Sequence, residues 1–512
     1  MILNIDDFTP KYLNVKISLT LVGYGSNMWE LRRSESNRRV VCQIWLLCSM
    51  MMLAFSPAHA GRLEAGSFTA HATNTGNPNP VRINFQQTFD TIPIVVALSD
   101  NNGSDAAAIR ITGVSTTGFD ELIIESDSFD GPHAAQNVHY LAVEAGRHVL
   151  PDGSIIEAGF SSISSVQHGN GVLGPEGWTT VSFSSPLPTT PSVIAQIQTA
   201  NSETRTVANQ TSQPFITATL DNPGPTSFQL ALERSEVFGG PIPSSETIGW
   251  IAFPAGLNGT FPDVSNNVIT WSSVNTATNI QGWGNGCFTN GFGQTSASAI
   301  VIAKKNSHIG GDGGWLRRCS VNSNTIGLTV DEDTARDSER NHTNESASII
   351  AFSDSFHALL EPNLSVTKTS VSFADTFGSG FALPGAIVEY LITVQNEGNA
   401  SPNHDSMILT ETLPAQLGLV LSDFGAPGSG PIQYQDGTPA SGLTCNFISF
   451  ASTSDCYSFS TDGTSFSHTP ADSGDGTDPA VTHVRISPDG FMAPDSGAGA
   501  TSFTIRFRGQ ID

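Results

Sequence analysis

The chain has 512 residues, with 22 Lys and Arg against 47 Asp and Glu, a net charge of −25, and only 13% of its residues charged. Such a surface repels phosphate backbones and anionic lipid headgroups, so nucleic acid and membrane surfaces are poor partners. The composition is rich in Gly, Ser, Thr and Asn and holds no stretch with the apolar spacing of an amphipathic helix.

In chain order the first element is a leader. Arg38-Arg39 precede "VVCQIWLLCSMMMLAFSPAHA", which exits through Ala58-His59-Ala60 before Gly61. A basic flank, an apolar run and an A-x-A exit are the grammar of a secretory signal peptide over 1–60; a retained anchor helix is the alternative. Residues 1–27 fit a leader poorly, so the expected start is Met28. Cleavage after Ala60 leaves 16 basic and 43 acidic residues, a net −27. The expected address is secreted, or the extracellular face of a bacterial envelope, with no membrane insertion after cleavage. Cys42 and Cys48 depart with the leader. Cys287, Cys319, Cys445 and Cys456 then allow three pairings, of which the local ones, Cys287–Cys319 and Cys445–Cys456, are the simplest in an oxidising compartment.

Beyond Gly61, short alternations recur: "VRINF", "IVVALS", "IRITGV", "ELIIES", "HYLAVE". Their Val, Ile, Phe and Tyr content, bounded by Gly, Pro, Asn and Asp, predicts antiparallel strands and an all-β fold class. The pattern also repeats. "INFQQTFDTIPIVVAL" at 83–98 aligns with "VSFSSPLPTTPSVIAQI" at 181–197, pairing Phe85 with Phe183 and Pro93 with Pro191. "TTGFDELIIES" aligns with "PTSFQLALERS", and "HYLAVEAG" with "GWIAFPAG", pairing Ala142 with Ala252. A third, weaker copy runs through "ASAIVIAKKN", "TIGLTVDED" and "ASIIAFSDSF". Copies of this length suit β-sandwiches over 61–150, 151–257 and 258–360. From 361 to 512 the character changes, and "LPGAIVEYLITVQNEGN" and "ILTETLPAQLGLV" predict a fourth, Ig-like sandwich.

The stretch "FDGPHAAQNVHYLAVEAG" carries His133 and His139. Counted back from the closing strand, His133, Gln136 and Tyr140 fall opposite Pro243, Glu246 and Trp250, and opposite His342, Glu345 and Ile349. A motif that loses a member between copies fits a loop brace better than catalysis, which needs several groups converging; a ligand or metal role is the alternative. His139 alternates with apolar neighbours and is expected to face out from its strand.

Residues 61–256 resemble H-type lectin domains, six-stranded antiparallel sandwiches that often trimerise. The resemblance rests on Phe85, Phe89, Pro93, Arg110, Val114, Gly118 and Phe119, then "VHYLAV" and "IGWIAF". It implies carbohydrate binding and a homo-oligomer. In sugar-binding members an arginine and a Trp-His pair hold N-acetylgalactosamine; here Ala106 and Ser126-Asp127 stand at those places, so the resemblance implies the fold more than the sugar contacts. The third copy resembles a related segment of bacterial exported proteins. Residues 363–512 are similar to Ig-like conserved-repeat domains of bacterial surface proteins, including MshQ-related ones, on "PGAIVEYLITVQNEGN", "LTETLPAQL", "PAVTHVRISPDG" and "SFTIRFRGQI".

Two loops hold the remaining candidates. "GGDGGWLRRC" at 310–319 offers Trp315, Arg317 and Arg318 to a sugar, by stacking and hydrogen bonding, with His342 as a further ligand-binding residue; burial of Trp315 in the core is the alternative. Trp271 and Trp283 are the other aromatic candidates. "DEDTARDSERNHTNE" at 331–345 offers Asp331, Asp333 and Asp337 to Ca²⁺, or else forms a salt-bridged loop with Arg336 and Arg340. No other cofactor is expected. No G-x-S-x-G, H-E-x-x-H or Gly-rich nucleotide loop points to an enzyme. The expectation is therefore an exported binding protein, a glycan-binding adhesin, whose partner is a glycan or a surface protein. The alternative is a structural or assembly component of a pilus-like surface apparatus that binds protein rather than sugar.

Overall fold

The computed structural model describes residues 16–19, 52–53, 61–70, 80–125, 133–167, 176–205, 212–213, 215–234, 242–311, 313–334, 338–375, 378, 383–402, 405–495 and 497–512. The described residues form sheets that are antiparallel except where Lys16–Leu19 and Val166–Gln167 pair in parallel, and the all-β class read from the alternation is the observed one. Among them, no helix is long and apolar enough to cross a membrane. The chain divides into two compact units, Gly61–Leu360 and Glu361–Asp512, the latter together with residues 1–60. Of the expected leader, only Lys16–Leu19 and Met52–Leu53 are among the described residues; they pair with Leu364–Ala374 and Leu409–Thr412.

All three sequence copies lie inside Gly61–Leu360, and each is a pair of facing sheets. In copy two the larger sheet runs Gly146–Val149, Ile155–Ile163, Glu246–Pro254, Pro191–Ile197, and in copy three Asn258–Pro262, Val268–Asn275, Ala347–Phe352, Ile300–Lys305. Each outer strand directly follows the closing strand of the copy before it. In copy one the sheet runs Phe356–Leu360, Gly61–Thr69, Asn137–Val143, Ile94–Ser99, so the outer strand comes from the far end of copy three. The three copies are thereby closed into a ring, and the boundaries expected near 150 and 257 fall where one copy hands a strand to the next. The smaller sheets are built on Gly118–Glu125, Ser227–Glu233 and Thr325–Asp331.

The registers place residues in equivalent sets. Val95, Val193 and Val301 pair with Ala142, Ala252 and Ala351. The core aromatics Tyr140 and Trp250 face Gly66 and Gly159, while Ile349 faces Val274. A Cβ on Gly66 would lie 2.9 Å from the Tyr140 ring, and one on Gly159 would lie 2.6 Å from the Trp250 ring. The two glycines therefore make room for the two large rings, and the smaller Ile349 tolerates a valine. "Glu-Ala-Gly" at 64–66 and 157–159 is the sequence trace of this arrangement.

Glu361–Asp512 packs one sheet, centred on Ile387–Asn396 and Thr501–Ile511, against a second formed by Leu409–Thr412, His483–Ile486 and Tyr457–Ser460. Burial alternates residue by residue along both central strands, the period of a sheet with one buried face. Val388, Tyr390, Ile392, Phe503, Ile505 and Phe507 supply much of the core. Both expected disulfides, Cys287–Cys319 and Cys445–Cys456, are formed.

The ring-against-glycine contact predicts that Gly159→Val forces Trp250 out of place and costs about 1–3 kcal/mol of stability. Val274→Gly, which removes the side chain facing Ile349, causes no such clash. The five tryptophans after residue 60 all precede residue 361. Urea unfolding of residues 61–512 followed by tryptophan fluorescence therefore reads this unit alone.

Candidate functional site

The residues singled out by the sequence converge at the seams between copies. Gln136, Glu246 and Glu345 start the closing strands and reach the loop that follows each central edge strand. Glu246 accepts from the backbone N–H groups of Ser202 and Asn201 at 2.7 and 3.0 Å. Glu345 accepts from Ile309 and Gly310 at 2.8 and 2.9 Å. Gln136 donates to the Asn102 carbonyl at 3.3 Å. His133 joins the first brace, with Nε2 3.1 Å from the Asp105 carbonyl. His342 joins the third, lying between Glu332 and Glu345. Burial lowers the pKa of His133. Burial also works against protonation of His342, but hydrogen bonds to Glu332 and Glu345 outweigh it and raise its pKa. Burial likewise opposes ionisation of Glu345, yet His342, Lys305 and the loop donors bring it down to about 2.

A second set of braces crosses from copy to copy. Arg317 of copy three is wholly buried; it pairs with Asp331 at 2.7 Å and donates to the carbonyls of Asp100, Asn102 and Asp105 in copy one. Arg110, at the matching place in copy one, grips Glu203 of copy two. Between copies two and three the charges are reversed: Glu233 takes Lys305 at 3.5 Å and His308 at 3.2 Å. The exposed edge of each central strand is also covered. The N–H of Val95 donates to Gln198 of copy two, that of Val193 to Ser348 of copy three, and that of Val301 to His139 of copy one, at 3.0–3.1 Å. His139 does face out from its strand, into this seam. Burial, then Arg318, brings it down to about 4, so Nδ1 accepts and Nε2 carries the proton.

This placement corrects several expectations. Trp315 offers no free stacking face: it is 8% exposed, its ring packs on Phe215 and its Nε1 donates to the Ala107 carbonyl. Arg317 and His342 are likewise consumed by braces. Asp331 is saturated by the guanidinium groups of Arg317 and Arg340, and Asp333 is fully buried. Asp331 is thus salt-bridged, and among the described residues no three His, Cys, Asp or Glu side chains are placed to hold a metal ion. Asp337 and Arg336 lie outside the described residues, as do Ser126 and Asp127. Trp271 is buried, with Nε1 donating to Asp152 at 2.8 Å. Trp283 is 37% exposed, with Arg340 already over its ring.

Arg318 alone of the four ligand candidates lines an open cleft. It stands where copies one and two bury Ile111 and Leu220, opposite Leu328 as those stand opposite Glu121 and Leu230. The cleft, of about 460 Å³, lies between copies one and three. Exposed Ser67, Asn137, Ser298, Asn322 and Ser323 line it, with Arg318 and His139 in its wall. Arg318 Nη2 donates to the Asn137 carbonyl at 2.9 Å. Ala297, Ala299, Ile300 and Val321 supply the apolar part of the walls, and the polar part is neutral hydroxyls, amides and an uncharged imidazole around one guanidinium, a set that binds polyols better than it moves protons. Sequence reading missed this cleft because its members come from four separated segments with no shared spacing. The fold and its braces define a closed three-copy β-sandwich unit with a polar cleft between copies one and three. No family model matches the chain, and neither any curated protein nor any solved structure matches it significantly.

Two outcomes follow from the braces. Arg317→Ala leaves Asp331 and three loop carbonyls short of a buried donor and lowers stability by about 3–5 kcal/mol; Arg317→Lys does not restore it, because an ammonium cannot span the fork. This is read from the urea midpoint. Because folding raises the His342 pKa above 6.5, its contribution is complete below that value and is lost as pH rises through the folded pKa. His342→Gln therefore flattens the alkaline side of the melting-temperature profile, measured by thermal unfolding across neutral to alkaline pH.

Proposed function

We propose that the chain is a non-catalytic binding protein of the bacterial cell exterior and that its inter-copy cleft takes a glycan. The observation that carries the reading is the cleft: open, polar, almost uncharged, and anchored on Arg318 at a position that is apolar in the other two copies. Supporting it are the leader-like residues before Gly61, the two disulfides suited to an oxidising compartment, and the resemblance to H-type lectins, whose oligomeric arrangement three copies in one chain would mimic. A shallow site of this kind binds weakly, and strength comes from presenting several chains together.

The second reading, a structural or assembly component that binds protein, is favoured by a different observation. Trp250, Trp271 and Trp315 are all buried, and Phe215 and Trp315 close an apolar seam on Ala106, Ala108, Leu122 and Ile124 of copy one.

A glycan array with secreted residues 61–512, run with calcium and again with chelator, separates the two. The expected result is selective binding, unchanged by chelator and weakened at least about tenfold by Asn322→Ala together with Ser298→Ala, a loss of about 1.4 kcal/mol. A blank array from folded protein ends the glycan reading in favour of the protein-binding one. Binding that needs calcium would overturn the cleft as the site.

A further inference from the structure

The three copies meet at a second, partly enclosed space. Their central edge strands, Ile94–Ser99, Pro191–Ile197 and Ile300–Lys305, pack against one another, and beside them lies a cavity of about 40 Å³. Room of that size suits on the order of three water-sized occupants. Its walls include Arg110 from copy one, Gln196 and Thr217 from copy two, and Lys304 and Lys305 from copy three. Lys304 holds the place that Leu98 and Gln196 hold in the other copies.

Charge in this cavity is unbalanced. Arg110 is neutralised by Glu203, and Lys305 has Glu233 and Glu345 at 3.5 and 4.0 Å. Lys304 donates to Gln196 Oε1 at 2.6 Å, and that amide is fixed by its own bond to the Ile109 carbonyl at 2.8 Å. Among the described residues no carboxylate lies within ion-pair distance of Lys304. An ammonium has three donors. Independently, the Thr217 hydroxyl, on a residue only 8% exposed, lines the same cavity and has no hydrogen-bond partner.

We propose that this cavity binds a small monovalent anion of the chloride class, held by the Lys304 ammonium and the Thr217 hydroxyl where the three copies meet. Lys304 is half-buried, and a cation partly withdrawn from water without a counter-charge is costly; an anion at this point supplies the missing partner and a hydrogen-bond acceptor together. Burial, and then Arg110, bring Lys304 down to about 7, so proton and anion bind together and the anion is released as pH rises. The other charged groups that face the site, Arg110 with Glu203 and Lys305 with Glu233 and Glu345, are already paired; His308 and His342 stand behind the last two carboxylates.

The test is thermal unfolding of residues 61–512 in sodium chloride against sodium gluconate at equal ionic strength, followed by tryptophan fluorescence. Gluconate is too large for the cavity. The expected result is a melting temperature higher in chloride by roughly 3 °C at about pH 6, shrinking towards zero at about pH 8.5. Lys304→Met abolishes the difference and Thr217→Val reduces it, and bromide soaked into crystals scatters anomalously from the cavity. Equal melting temperatures in the two salts at the lower pH, as for a cavity holding water alone, overturn the proposal. So does a chloride response that survives Lys304→Met, or bromide found only elsewhere.

Discussion

An edge strand carries backbone N–H groups that must find acceptors, and each of the three copies in Gly61–Leu360 turns such an edge towards the other two. The solution is the constraint from which the rest of the unit follows. Val95, Val193 and Val301 are each capped by a side chain of the neighbouring copy, a glutamine, a serine and a histidine in turn. Three different residue types do one job because the requirement is only for an acceptor at the right height. The outer strands are passed round the same way, with Phe356–Leu360 returning to Gly61–Thr69. No copy has a complete sheet without its neighbour, so the three fold as one unit.

That cyclic dependence explains where the unusual polar residues went. Arg110, Arg317, Glu233 and Lys305 look like functional residues in a chain so poor in charge, yet each is buried at a seam and ties one copy to the loop of the next. Isolated buried charges are costly, and here most are paired or multiply hydrogen-bonded. The braces fix the relative placement of copies, the quantity on which both the open cleft beside Arg318 and the partly enclosed cavity beside Lys304 depend. At both spaces the copies differ: arginine stands where the other two have apolar residues in one case, and Leu98 has a lysine counterpart in the other.

Fold class, copy number, disulfide pairing and the loop-bracing role of His133 were legible in the sequence, which offered His342 both as a brace and as a ligand-binding residue. They depend on local alternation, on spacing, and on what stands at the same place in each copy. The Glu-Ala-Gly repeat at 64–66 and 157–159 was equally available, as a mark of glycine beneath a large ring. The expected exposure of Trp315 and Arg317 was not sound. A Gly-rich loop carrying tryptophan and arginine looks the same whether it faces solvent or the loop of another copy some 200 residues earlier. The carboxylates of 331–345 were ambiguous for the same reason: only the arrival of Arg317 and Arg340 at Asp331 turned a cation-like set into a neutralised one.

By itself, then, the sequence determined an acidic, helix-poor chain of repeated antiparallel sandwiches followed by a distinct β-module, because strand periodicity and turn chemistry are written within a few residues. Ring closure, the capping of three strand edges, and the gathering of Ser67, Asn137, Ser298 and Arg318 around one cleft were decided only by the tertiary structure. Those contacts join residues up to 299 positions apart, and no local pattern specifies which distant side chain will satisfy a given backbone edge.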